Sequence, residues 1–190
     1  MNNVILTDAD GVLLNWEYAF NVWMQQQGHC LVEDYHDHYE MNERYGISLG
    51  EKKKLVKFFN ESAAIGFLPP LRDAVHYVRK LHEKHGFVFH LITSLSLDHN
   101  AQALRTQNIK KLFGETAFER FIYLDTGADK DDVLAQYKGS GYIWVEDKPE
   151  NYVAGEDVGL DCYLMEHSHN MNLDGYNIVK NWKEIYNSVV

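Results

Sequence analysis

The stretch Val4-Ile5-Leu6-Thr7-Asp8-Ala9-Asp10-Gly11-Val12 decides the fold. Its first four residues are apolar or β-branched, as in a buried strand, and two carboxylates and a glycine follow at once, as in a turn. Four further runs of the same kind occur at Phe87 to Ile92, Phe121 to Leu124, Tyr142 to Val145 and Cys162 to Met165. Between the later runs lie helix-like stretches, Asp98 to Ile109, Asp129 to Tyr137 and Pro149 to Glu156. Strands that alternate with single helices are joined by right-handed crossovers, so the expected class is α/β with a Rossmann-like parallel sheet.

The spacing between the first two strands, from Asn15 to about Gly86, is too long for one crossover helix. Helical periodicity at Trp16 to Gln27 and Glu51 to Ile65, a Pro69-Pro70 break and an amphipathic stretch from Leu71 to His85 fill it. The pattern predicts a small helical cap over 15–70, inserted after the first strand into a core of 1–14 and 71–190. A chain of 190 residues has room for one ordinary core.

No apolar run approaches the roughly 18 residues a membrane helix needs, so no membrane partner is expected. Met1-Asn2-Asn3 leads into a run too short for a signal peptide, and Cys30 and Cys162 have no paired spacing. Both features point to a reducing, cytoplasmic setting. With 28 acidic and 18 basic residues the net charge is −10, which argues against extended nucleic-acid binding. Any anionic partner is therefore expected to be small and handled in one pocket, where a fixed cation reverses the sign of the field. Nothing in the sequence signals an oligomeric state.

In open α/β sheets ligands bind outside the carboxyl ends of the strands. The polar residues there are Asp8 and Asp10 after the first strand, Thr93 and Ser94 after the second, Lys130 after the third, and Glu146 and Asp147 after the fourth. Like charges about 4 Å apart repel by about 4 kcal/mol even at an effective dielectric of about 20. A divalent cation relieves this, and an oxygen-only ligand set favours Mg²⁺. Thr93, Ser94 and Lys130 are left to bind the oxygens of a phosphate.

Asp8-Ala9-Asp10-Gly11-Val12, then Thr93, Lys130 and Glu146-Asp147, resemble the four ordered motifs of the haloacid dehalogenase (HAD) superfamily. The resemblance covers the core, not the cap. It implies an HAD-type phosphatase in which Asp8 attacks phosphorus to form an aspartyl-phosphate and Asp10 serves as acid and then base. It also implies Mg²⁺ held by Asp8, Asp10 and Asp147, with Glu146 or the amide of Asn151 as the additional residue of the metal shell. Many relatives carry Gly-Asp where this chain has Glu146-Asp147, and an Asp where it has Asn151.

Other residues have ordinary structural explanations. Asp98 is placed to cap a helix, and the Asp129 to Asp132 run suits a helix start. Trp16, Tyr18, Phe20 and Trp23 fall at helical spacing typical of core, the alternative being that one of them faces the pocket to stack on a base or sugar. His36 and His38 are too weakly spaced for a second metal site and suit a solvated cap segment. The short cap and the tail through Tyr163-Leu164-Met165, His169-Asn170 and Asn181-Trp182 partly resemble 5'(3')-deoxyribonucleotidases. That resemblance implies a nucleoside monophosphate as the phosphorylated substrate of a nucleotidase. The alternatives are a sugar-phosphate phosphatase or phosphomutase, to which Glu146-Asp147 is suited, and a catalytically weak regulatory module that binds metal and phosphate.

Overall fold

β-Branched and aromatic runs that bury both faces favour a parallel sheet covered by helices on each side. In the structure, a computed structural model that describes residues 3–35 and 40–190, six strands form one such sheet. They are β1 (Val4–Thr7), β2 (Val88–Ser94), β3 (Phe118–Leu124), β4 (Ile143–Glu146), β5 (Asp161–Met165) and β6 (Ile178–Val179). Their order is β3-β2-β1-β4-β5-β6, and every neighbouring pair is parallel. The chain leaves β1 to build one half of the sheet and returns beside it with β4, so the switch in direction lies between these two strands. That crevice is where such sheets bind ligands.

The two-residue period of β1 sends Ile5 to one face and Leu6 to the other, and both are fully buried. The Ile5 face packs against α4 (Ala74–His85), α5 (His99–Phe113) and α8 (Trp182–Val189) through Val78, Leu81, Ile109 and Trp182. The Leu6 face packs against α6 (Asp131–Leu134) and α7 (Pro149–Asp157) through Leu134, Tyr152 and Ala154. Helix α4 stops at Gly86, whose φ of 70° lets it cap the helix in the left-handed region.

Residues 15–70 contain α1 (Trp16–Gln26), α2 (Met41–Arg44) and α3 (Leu49–Asn60). Phe20, Met24 and Phe59 from this segment are buried in the same cluster as Ile5 and Phe89 of the sheet. His36 and His38 lie outside the described residues. Among the described residues, no helix is long and apolar enough to cross a membrane.

Several boundaries differ from the sequence expectation. The single helix expected over Glu51 to Ile65 is two elements, α3 and a 3₁₀ turn at Ala63–Phe67. Ser62 separates them, since its hydroxyl accepts from the Ala64 N–H and starts the new turn. The stretch from Leu71 becomes helical only at Ala74, after Arg72 adopts a φ of 42°. The helix expected over Asp129 to Tyr137 is α6 followed by a 3₁₀ turn at Ala135–Tyr137. β6 and α8 were not expected, because two strand residues and eight helical ones carry too little periodicity.

Tertiary contacts secure α8. Asn181 caps it by accepting from the Glu184 N–H at 3.2 Å, and the Asp73 carboxylate accepts from the N–H groups of Trp182 and Lys183. The buried Trp182 indole donates to the Val12 carbonyl at 2.9 Å, tying the last helix to the loop that carries Asp8 and Asp10. Replacing Trp182 by Ala is expected to cost about 3–5 kcal/mol. Urea denaturation measures this, and a loss below about 1 kcal/mol would show that the helix is not anchored through this ring.

Candidate active site

Strand β1 ends at Thr7, and the next residue, Asp8, is 6% exposed at the bottom of a cleft of about 770 Å³. Beside it β4 ends at Glu146, which is fully buried, and Asp147 follows on the loop. One oxygen each from Asp8, Glu146 and Asp147 lies within 4.8 Å of the others. Asp10, Thr93, Ser94 and Lys130 line the same cleft, so the switch point gathers every strand-end residue singled out by sequence.

Lys130, 2% exposed at the N-terminus of α6, reaches between two of these carboxylates. Its Nζ lies 2.6 Å from Glu146 Oε2 and 2.9 Å from Asp8 Oδ1. The pairing raises the Lys130 pKa: burial alone would lower it, but the charges of Asp8 and Glu146 outweigh burial. Although Lys130 is close, Asp8 Oδ1 is buried without a properly directed hydrogen bond.

Glu146 belongs to the cluster by distance, yet protein donors surround it. Oε1 accepts from the N–H groups of Asp147 and Lys148, and Oε2 from Lys130 and the Asn151 side-chain amide. Four donors match the four lone-pair sites of a carboxylate. Burial pushes the Glu146 pKa up, but the charge of Lys130 and hydrogen bonds from the Asp147 side chain, Lys130 and the Asp147 N–H more than offset this and hold it below the usual value. Asn151 touches this shell through its bond to Glu146, at 3.0 Å.

The other two carboxylates are under the opposite pressure. Burial, with Lys130 as a partial offset and Glu146 and Asp10 adding repulsion, pushes Asp8 up to about 6. Burial, followed by repulsion from Glu146 and Asp8, pushes Asp147 well above the carboxylate range. Gly11 permits the close approach of the two loops: a Cβ there would lie 2.4 Å from Asp147 Oδ2, and its φ is 77°. The all-oxygen donor set, three carboxylates against one lysine, fits a hard divalent cation.

Ser94 points its hydroxyl away from this role, donating to the Ala128 carbonyl at 2.7 Å and joining the loops after β2 and β3. Thr93 is 1% exposed on the cleft wall. Asp98 caps α5, accepting from the Ala101 N–H at 2.8 Å. Of the aromatic residues on α1, Trp16 lines the cleft and donates to Asn60 Oδ1, Phe20 is core, and Tyr18 is exposed.

Arg105 and His167 were not foreseen, and His169 and Asn170 were singled out only as part of the tail. Arg105 of α5 is fully buried, and its guanidinium holds both oxygens of Asp10, at 2.7 and 3.4 Å. The sequence did hold a signal: Ala101, Arg105, Asn108, Ile109 and Phe113 form the buried face of α5, and Arg105 falls on that apolar stripe. The loop after β5 also closes over the site. Asn170 donates to the carbonyls of Asp147 and Met165, His169 bonds the Asp147 carbonyl, and His167 bonds the Gly11 carbonyl at 2.6 Å. Burial, with Arg72 and His169 nearby, lowers the His167 pKa although the Gly11 carbonyl opposes this.

Comparison with known proteins adds the fold. No family model matches the chain. An uncharacterized 32.4 kDa protein from the Gp30-rIII intergenic region of Enterobacteria phage T4 is 28% identical over 149 residues, covering 73% of this chain and 50% of that protein. The chain thus spans about half the length of the curated relative it matches. Among solved structures, CbbY from Rhodobacter sphaeroides in complex with phosphate matches with a TM-score of 0.60 at 16% identity, over 97% of this chain and 96% of that one. L-2-haloacid dehalogenase from Xanthobacter autotrophicus, with chloropropionic acid covalently bound, matches with a TM-score of 0.64 at 8% identity, over 100% and 98%. The chain has the haloacid dehalogenase fold. The HAD-hydrolase YfnB from Bacillus subtilis, bound to magnesium, shares that fold, with a TM-score of 0.63 at 15% identity and 98% of each chain covered.

The pKa of Asp8 gives a test of the charge surplus in this fold. A carboxyl with a folded pKa of about 6 and an ordinary value of 3.8 holds its proton more tightly when folded, so its ionisation opposes folding. The penalty is absent below both values, grows as pH rises through the window between them, and reaches about 3 kcal/mol above it. Without divalent cations, the urea stability of the protein relative to Asp8→Asn is expected to fall across that window, and Mg²⁺ is expected to restore it. A difference independent of both pH and Mg²⁺ would contradict the charge surplus.

Proposed function

We propose that the chain is a Mg²⁺-dependent phosphomonoester hydrolase that works through an aspartyl-phosphate on Asp8. The observation that carries this is the setting of Asp8: a carboxylate at the end of β1 lining the cleft, beside a buried lysine and a second carboxylate whose pKa is pushed up. A nucleophile needs an accessible lone pair, and a phosphate needs cationic partners in the same place.

Asp8 and Asp147, with the Asp10 backbone, are the residues suited to hold the cation. When bound, Mg²⁺ would offset the charge of the carboxylates and of the phosphate oxygens. Lys130 supplies a further positive charge; Glu146 holds its ammonium, and the Asn151 amide in turn donates to Glu146. Thr93 offers a hydroxyl on the cleft wall.

In the first step an Asp8 oxygen forms a bond to phosphorus while the bond to the leaving oxygen breaks, and Asp10 gives that oxygen its proton. In the second, water attacks phosphorus, Asp10 takes the water proton, and the Asp8 to phosphorus bond breaks to release phosphate. The same two residues serve both half-reactions.

The favoured substrate class is a nucleoside monophosphate. Trp16, Tyr35, Met41 and Val56 are among the residues lining the cleft, whose volume of about 770 Å³ is ample for a base and sugar. The bound phosphate of CbbY and the bound magnesium of YfnB, on the same fold, agree with the proposed chemistry.

Phosphate release from a panel of nucleoside monophosphates and sugar phosphates tests this. Turnover is expected to require Mg²⁺, to be greatest with a nucleoside monophosphate, and to fall by about 10³-fold or more in Asp8→Asn. Greater turnover of sugar phosphates would move the substrate class and leave the mechanism. Metal and phosphate binding without turnover of any ester would point to a regulatory module.

A further inference from the structure

We propose that Arg105 is a positioning residue that aims Asp10, and that it thereby decides which leaving groups the enzyme can expel. This rests on the reading of Asp10 as the acid and base of the proposed hydrolysis.

The guanidinium comes from behind the nucleophile loop. Arg105 is fully buried in α5, whereas the Asp10 side chain keeps 23% of its surface exposed toward the cleft. Both contacts, Nη1 to Oδ1 at 2.7 Å and Nη2 to Oδ2 at 3.4 Å, go to the same carboxylate, while Nε is buried without a partner. A planar fork on both oxygens fixes the plane of the carboxylate as well as its position.

Helix α5 makes this a rigid support. Asp98 caps its first turn, Asn108 donates to the Leu68 carbonyl at 3.1 Å, and Thr106 shares a 2.7 Å hydrogen bond with Tyr123 on β3. A buried ion pair is a poor source of net stability compared with apolar residues of the same volume. Its distinctive effect here is geometric: it sets the direction from which Asp10 meets the leaving oxygen.

The consequence depends on the leaving group. When the phosphorus to oxygen bond breaks, an alkyl leaving group departs as its alcohol, taking the bonding electron pair and a proton from Asp10. A nitrophenolate departs with the electron pair and needs no proton. A misaimed Asp10 therefore slows formation of the aspartyl-phosphate from alkyl esters and largely spares aryl esters. kcat/KM isolates this first half-reaction, because it excludes the later hydrolysis of the intermediate.

The experiment compares kcat/KM for nitrophenyl phosphate and for the alkyl phosphomonoester turned over fastest in the panel, using wild type, Arg105→Met and Arg105→Lys with Mg²⁺. Arg105→Met is expected to lower the alkyl value by about 10²-fold and the aryl value by less than about tenfold. Arg105→Lys, which keeps the charge but loses the fork, is expected to fall between. In an Asp10→Asn background, Arg105→Met is expected to add no further loss, since both changes remove one function.

Circular dichroism and thermal melting establish that each variant is folded before it is compared. Equal losses for both esters, full activity in Arg105→Met, or additive losses in the double variant would overturn the proposal while leaving the hydrolase reading in place. No turnover of either ester by wild type would instead reject the hydrolase reading, and the role of Arg105 with it.

Discussion

The site depends on one buried cation. Lys130 sits between Asp8 and Glu146, all three almost wholly removed from water, and its charge offsets the cost of ionising either carboxylate there. One lysine against Asp8, Glu146 and Asp147 leaves the cluster with a surplus of negative charge. Glu146 is satisfied by four donors, so the surplus falls on Asp8 and Asp147, the two carboxylates whose pKa values burial and repulsion push up. The protein thus separates chemically similar groups by environment: one acid serves as a structural anchor and two are left in need of a cation.

The topology brings about this division. With β1 and β4 adjacent at the reversal of strand order, Asp8 and Asp147 emerge side by side, and Gly11 lets their loops nearly touch. Lys130 comes from the start of the short helix that follows β3. Two further elements complete the frame: the loop at 167–170 fastens the backbone of Asp147 and Gly11, and Arg105 holds Asp10 from the opposite side.

Much of this was legible in the sequence. The five longer strands have hydrophobic runs bounded by polar residues, and the binding of ligands at the carboxyl ends of parallel strands then placed Asp8, Thr93, Lys130 and Asp147 in one crevice. Short elements were not legible, because β6 and α8 are fastened by long-range bonds such as Trp182 to Val12, which leave no local periodicity. The environment of Glu146 was also hidden: its composition suggested a ligand, and only the fold shows the donors gathered around it. Arg105 was missed because a charged residue on a helix is ordinarily assigned to solvent, although its place on the apolar stripe of α5 marked it as buried.

The most direct test is a crystal structure of the protein with Mg²⁺ and beryllium fluoride, which mimics a phosphoryl group on a carboxylate. The account expects beryllium fluoride bonded through beryllium to an Asp8 oxygen, close to Lys130, with Mg²⁺ ligated by Asp8 and Asp147 at about 2.0–2.1 Å and Glu146 still bonded to Lys130. An adduct on another residue, or a metal ion held by Glu146 with Lys130 displaced, would contradict it.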